Sequence, residues 1–338
     1  MIGDERPRTA ALLLAAGTAA TGAVLARRRR SHHLARRING AGPGVRTDDG
    51  VVLHVETGGR DDAPVTVVFA HGFAARAQEF DAQRDALGEH ARLVLFDQRG
   101  HGRSGWGDYR CATIEQLGRD LGHVIDTCAG NGPVLLVAHS MGGMAAIALA
   151  GQRPELFGPR IAGVALLSTA AGRLTRVGLP DSIAGTARST GLADAAARAL
   201  WFIAPAIESL APFRRPSGRR WMLDRLFGDD APSPEAAHVM QDMWINTPQS
   251  VISAFYPAMV NYNRTDALDV FRNIPTLVLT GNSDSTISCQ RSERLAHAIG
   301  DTARLVVIPG AGHMVNLTHP DAVNEALLEL LESTRAHV

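Results

Sequence analysis

The chain has 338 residues, 45% hydrophobic and 20% charged, which excludes a disordered tail protein, a collagen-like fibre and a polytopic membrane protein. Thirty-four acidic residues balance 34 basic ones, so there is no broadly basic face for nucleic acid. The neutrality is an average, because residues 1–37 carry eight arginines against Asp4 and Glu5 and the rest of the chain offsets that surplus.

The basic leader comes first. Ala10 to Ala26 holds no charge, but Gly17, Gly22, Thr18 and Thr21 dilute its alanines and leucines, leaving it at the lower limit for spanning a bilayer. Arg27 to Arg30 follow it, and a positive flank stays cytoplasmic. Residues 10–37 are therefore a candidate membrane contact that would tether a cytoplasmic body to the inner face of the membrane. The alternative is a surface-lying or poorly ordered leader. Cys111, Cys128 and Cys289 are odd in number and lack C-x-x-C spacing, which favours a reducing compartment over a disulfide framework or zinc knuckle.

A Gly/Pro-rich linker over Asn39 to Gly44 leads into short β-branched runs that alternate with longer Ala-rich stretches, the α/β pattern. Strands are expected at Val51–Glu56, Val65–Phe69, Leu93–Phe96, Val134–Val137, Val164–Leu167, Thr276–Thr280 and Leu305–Ile308. Several are near-continuous apolar runs, as strands buried on both faces of a parallel sheet should be. Helices are expected at Ala77–Gly88, Ile114–Cys128, Gly142–Arg153, Gln290–Ala298 and Asp321–Ser333. The alternation breaks over 170–271, where Trp201, Trp221, Trp244, Phe255 and Tyr256 sit among helix-length segments punctuated by prolines. The division is a leader over 1–44, an α/β core over 45–169 and 272–338, and a helical cap over 170–271 inserted before the last two strands.

Chemistry is concentrated where strands end. Val134 to Val137 runs into Ala138-His-Ser-Met-Gly-Gly143 and then a helix. A sharp strand-to-helix turn lifts a hydroxyl above the sheet edge in strained backbone and tolerates only small residues two positions to either side, a demand that Ala138 and Gly142 meet. Ser140 is the candidate nucleophile. A serine needs a base, and a histidine base needs a carboxylate to hold its tautomer. Asp284 follows the strand Thr276–Thr280, and His313 follows Leu305–Ile308 in Pro309-Gly-Ala-Gly-His313. Both therefore fall at the sheet edge where open α/β sheets gather their ligands. The turn Ala70-His-Gly-Phe73 after Val65–Phe69 supplies the Phe73 N–H. With the Met141 N–H it is expected to form an oxyanion hole, each donor worth roughly 2.7–4 kcal/mol in the transition state.

With His71-Gly72-Phe73, Asp97-Gln-Arg-Gly-His-Gly-Arg-Ser104, the Ser140 turn, the Asp284 loop and Gly312-His313 in order, residues 45–335 resemble the α/β-hydrolase superfamily. The resemblance is to its lidded serine hydrolases, which include esterases and monoacylglycerol-lipase-like enzymes. One departure from the commoner pattern is Ala138 in place of Gly. It implies a mostly parallel sheet flanked by helices, a lid over the sheet end, and a Ser140-His313-Asp284 triad acting through an acyl-enzyme without metal or cofactor. The aromatic and aliphatic insertion points to a lipophilic small-molecule ester as substrate. A cofactor-free haloperoxidase-like or C–C hydrolase would use the same triad, and a non-catalytic ligand-binding relative would usually lack one of its members. Ser140 in place of an aspartate disfavours an epoxide hydrolase or dehalogenase. Asp266 and Asp269 compete with Asp284, and His319 with His313. Ser140 as a plain helix N-cap is the bland reading of the serine. His71, His101 and His139 read as packing and hydrogen-bonding residues around the turns.

Overall fold

A computed structural model of the chain describes residues 44–172, 174 and 226–337. The leader, with its apolar stretch 10–26, lies outside the described residues, as does the part of the insertion that holds Trp201 and Trp221. Among the described residues no helix is long and apolar enough to cross a membrane.

Eight strands form one sheet: β1 (Gly44–Arg46), β2 (Val52–Gly59), β3 (Thr66–Ala70), β4 (Arg92–Phe96), β5 (Val134–His139), β6 (Ile161–Leu167), β7 (Thr276–Gly281) and β8 (Ala303–Ile308). Their spatial order is β1-β2-β4-β3-β5-β6-β7-β8. The β1–β2 and β2–β4 pairs are antiparallel, and every later neighbour is parallel. The helices among the described residues are α1 (Asp81–Gly88), α2 (Ile114–Cys128), α3 (Met141–Gln152), α4 (Pro234–Asn246), α5 (Gln249–Asn261), α6 (Cys289–Ile299), α7 (Val315–Thr318) and α8 (Pro320–His337).

Strand periodicity sends alternate residues to opposite faces. Val68, Val94, Leu136 and Val164 pack against α2 and α3 through Leu121, Ile125 and Ile147. Val67, Phe69, Leu95 and Val137 pack on the other face against Leu87 of α1 and Leu327 and Leu331 of α8. The central strands are therefore apolar throughout because both faces are covered. Thr113 starts α2 by accepting the Gln116 N–H, and Ser233 starts α4 by accepting the Ala236 N–H, so each supplies an acceptor the backbone lacks.

Gly44, expected in the linker, is the first residue of β1. Val45 is buried and pairs with Leu53, yet a three-residue edge strand with one apolar side chain carries no readable period. The helix expected from Ala77 begins as a 3-10 turn over Ala77–Phe80 and becomes α-helical at Asp81. Between β6 and β7, α5 lays Val251, Ala254 and Phe255 against Met141 and Met144 of α3, over the end of the sheet.

The loop after β4 is fixed by a buried cation. Arg99 is 0% exposed, with Nε 2.5 Å from Asp120 Oδ2 and Nη1 2.7 Å from Asp49 Oδ2. It ties that loop to α2 and to the turn before β2. Asp97 accepts the Ala77 N–H at 2.9 Å and the Arg103 N–H at 2.8 Å, which secures the loop to the element before α1. Removing one partner of a buried ion pair leaves the other charge uncompensated. Arg99→Ala is expected to cost about 3–5 kcal/mol, read as a lower urea midpoint with an unchanged m-value.

Candidate active site

Register brings the functional turns to one edge. Ala70 of β3 pairs with Phe96 of β4 and Ala138 of β5, and His139 pairs with Leu167 of β6, so these strands end nearly level. Gly281 pairs with Ile308, which brings the ends of β7 and β8 level in turn.

Ser140 lies between β5 and α3 with φ 51° and ψ −114°, a left-handed φ that L-residues avoid. Several contacts hold it there. Its N–H donates to the Leu167 carbonyl at 2.9 Å, and the Thr169 hydroxyl donates to its carbonyl at 2.7 Å. A Cβ on Gly142 would sit 2.6 Å from the Ala70 carbonyl carbon, and one on Gly143 would sit 2.6 Å from Thr169 Cβ, so only glycine lets the helix start this close. The Ser140 side chain makes no capping hydrogen bond to α3, unlike an ordinary N-cap serine.

Its Oγ instead lies 2.9 Å from His313 Nε2. His313 Nδ1 lies 2.8 Å from Asp284 Oδ2. An ionised carboxylate only accepts, so the proton sits on Nδ1 and Nε2 presents its lone pair to the serine hydroxyl. Asp284 Oδ1 accepts the Thr286 and Ile287 N–H groups, each at 2.8 Å, which locks the carboxylate's orientation. The three side chains are buried, with Ser140 6% exposed and Asp284 and His313 each 5%. The competing residues are engaged elsewhere. Asp266 pairs with Arg264 at 3.3 Å, Asp269 with Arg272 at 3.0 Å, and His319 with Asp230 at 3.0 Å.

Met141 is the first residue of α3, whose N–H has no carbonyl one turn back and sits at the positive end of the helix dipole. Phe73 follows Gly72, and a Cβ on Gly72 would lie 3.4 Å from Ser140 Cβ, so this turn borders the serine directly. Ala74, at φ 55°, bends the chain away immediately after Phe73.

The alpha/beta hydrolase family matches residues 67–326. The chain belongs to that family. It is 28% identical to Epoxide hydrolase A of Mycobacterium tuberculosis over 84% of this chain and 95% of that protein. It is 26% identical to a non-heme haloperoxidase of Rhodococcus erythropolis, covering 79% of this chain and 92% of that one. A solved thermophilic esterase from Thermogutta terrifontis matches 86% of this chain and 98% of its own at 26% identity, with a TM-score of 0.67.

Around the edge of this alpha/beta hydrolase sheet, three buried histidines bond to the turns. His71 Nε2 accepts the Gln98 N–H at 2.8 Å, and its Nδ1 is 2.7 Å from the Gly72 carbonyl. His139 bonds Glu79 and the His313 carbonyl. His101 Nδ1 is 3.0 Å from the Arg99 carbonyl, and its ring packs on those of His71, Phe73 and Phe255. Sequence reasoning passed over Glu79 and Thr169, although both sit against the serine turn. Glu79 reads locally as the polar position of a surface helix and Thr169 as a loop residue, and their burial depends on partners distant in the chain.

Burial, reinforced by the nearby His71, pushes the His101 pKa down to about 3 from 6.5, with the Arg99 carbonyl opposing. The unfolded chain takes up this proton near pH 6.5 and the fold refuses it. The fold's stability with respect to His101 is therefore intact above about pH 6.5 and falls as pH drops toward 3, on the order of 1 kcal/mol per pH unit. His101→Phe is expected to keep the ring contacts and to narrow the gap between melting temperatures at pH 7 and pH 5. A gap equal to that of the wild type would remove His101 from the acid response.

Proposed function

We propose that this alpha/beta hydrolase cleaves lipophilic carboxylic esters, with Ser140 as nucleophile, His313 as general base and acid, and Asp284 as the carboxylate that orients and stabilises His313. The observation that carries the proposal is the unbroken line of hydrogen bonds from Ser140 Oγ through His313 to Asp284. In the first step His313 Nε2 takes the hydroxyl proton as Ser140 Oγ attacks the ester carbonyl carbon. The carbonyl oxygen becomes an oxyanion that the Phe73 and Met141 N–H groups stabilise. As the intermediate collapses, the C–O bond to the alcohol breaks and His313 gives its proton to the departing oxygen. Water then repeats the sequence on the acyl-enzyme, with His313 taking its proton and returning one to Ser140.

The surroundings support a lipophilic acyl group. Met141, Met144, Val251, Phe255 and Ile287 form one buried apolar cluster beside the serine turn, with Phe73 and Trp106 packed against it. Trp244 meets Phe73 edge to face at 6.3 Å and joins a second apolar group with Met243 and Met314. Among these side chains a charged acyl chain would lose its hydration without gaining a partner. The esterase from Thermogutta terrifontis is a relative whose activity agrees with ester cleavage. Opening an epoxide through an alkyl-enzyme ester would require a carboxylate at the elbow, where this chain has a hydroxyl.

Ser140→Ala is expected to lower kcat/KM on p-nitrophenyl butyrate by at least about 10³-fold, with an unchanged melting temperature. A p-nitrophenyl ester series from acetate to decanoate should show kcat/KM rising over the short chains, as each added methylene gains up to about 0.8 kcal/mol of burial. Ester turnover that survives Ser140→Ala would overturn the mechanism, and a series that falls from acetate onward would overturn the lipophilic substrate.

A further inference from the structure

Glu79 and His139 are fully buried, 0% and 1% exposed, and neither belongs to the relay of Ser140, His313 and Asp284. Placing a carboxylate and an imidazole in the interior is costly unless their hydrogen bonds are made. Their hydrogen bonds reach both halves of the site. Glu79 Oε1 accepts the Gly72 N–H at 2.9 Å and lies 3.2 Å from His139 Nδ1. His139 Nε2 lies 3.0 Å from the main-chain carbonyl oxygen of His313. The Glu79 carbonyl in turn accepts the Asn316 side-chain N–H at 2.8 Å, from the segment just after His313.

Both ring nitrogens of His139 face oxygen acceptors, a carboxylate and a carbonyl. Facing an ionised Glu79, an imidazole that bonds both oxygens carries a proton on each nitrogen. Burial opposes that charge, but the Glu79 carboxylate and the His313 carbonyl outweigh it and raise the His139 pKa above that of an ordinary histidine. The approach is close on every side. A Cβ on Gly72 would fall 2.7 Å from His139 Nδ1, and the His139 and His313 rings are 5.1 Å apart.

Resting on the Ser140 mechanism proposed above, we propose that Glu79 and His139 act as a positioning pair, holding the Gly72-Phe73 turn and the His313 loop in register about Ser140. Glu79 fixes the amide immediately before the Phe73 oxyanion donor. His139, immediately before the nucleophile, fixes the backbone of the base. The pair therefore couples three strand ends, β3, β5 and β8, that no single covalent segment joins. Because the serine hydroxyl, the base and the oxyanion donors must converge within a fraction of an ångström, loosening the pair should slow chemistry more than binding.

The test uses the full chain with Glu79→Gln, His139→Gln and the double variant, on p-nitrophenyl butyrate, with fluorophosphonate labelling of Ser140 and thermal melting alongside. Glu79→Gln keeps the shape and an acceptor for Gly72 but removes the charge. His139→Gln leaves Glu79 on Gly72 and alters the grip on His313, so it decides the question if Glu79→Gln does not fold. Leu87→Ala, on the buried face of α1, serves as a variant that loses stability without touching the turns.

Each pair variant is expected to lose roughly 10- to 100-fold in kcat, with KM within about threefold and labelling slowed in parallel. The double variant is expected to be no worse than the poorer single variant, as residues acting as one unit require. Leu87→Ala should melt earlier and keep its kcat. Cooperatively melting pair variants with wild-type kcat would overturn the pair, as would a double variant whose loss is the product of the single losses, or a kcat that falls equally in Leu87→Ala. A wild-type chain that shows no Ser140-dependent labelling or ester turnover would overturn the Ser140 mechanism itself and the pair's role with it.

Discussion

The backbone of Ser140 is the constraint on which the rest of the site depends. A non-glycine residue at φ 51° costs on the order of 1–3 kcal/mol, and it persists only where its surroundings leave no relaxed alternative. Here β5 delivers the serine to the sheet edge, Gly142 and Gly143 let α3 start against β3 and Thr169, and the hydrogen bonds to Leu167 and Thr169 clamp both sides of the residue. The strain places the hydroxyl above the edge, free of any capping bond to the helix it precedes. It also sets where α3 begins, at Met141. One backbone conformation thus sets both the proposed nucleophile and one of the proposed oxyanion donors.

Electrostatics completes what that backbone begins. Asp284 is oriented by two main-chain N–H groups and fixes which nitrogen of His313 carries the proton, which leaves the other nitrogen facing Ser140. Ser140, Asp284 and His313 are far apart in sequence. The parallel sheet makes them neighbours by ending β3, β5, β7 and β8 at one edge. The buried Arg99 with Asp120 and Asp49, and Glu79 with His139, then tie the loops leaving that edge to one another. Above them, the apolar side chains of α5 pack against Met141 and Met144 beside the serine turn, and low polarity strengthens the charges that act there.

Much of this was legible in the sequence because it is local. The run Val134 to Val137 is apolar without alternation, which only a strand covered on both faces explains, and the residues after it meet the steric demands of a sharp turn. Asp284 and His313 could be singled out because each follows a strand and the chain order suits the fold. What could not be read depends on distant partners. Glu79, in Ala77-Gln-Glu-Phe80, is locally indistinguishable from a solvent-facing helix residue, and its burial is explained by the Gly72 N–H and by His139, sixty positions later. β1 escaped for the opposite cause, since three residues at a sheet edge are too few to show a period.

In the proposed mechanism an acyl group passes through Ser140. Acid quenching during turnover of p-nitrophenyl butyrate, followed by peptide mass spectrometry, detects that transfer. A butyryl ester confined to the peptide containing Ser140, forming and decaying with turnover, is the expected result. Turnover with Ser140 unmodified and the acyl group on another residue, or on none, would contradict it.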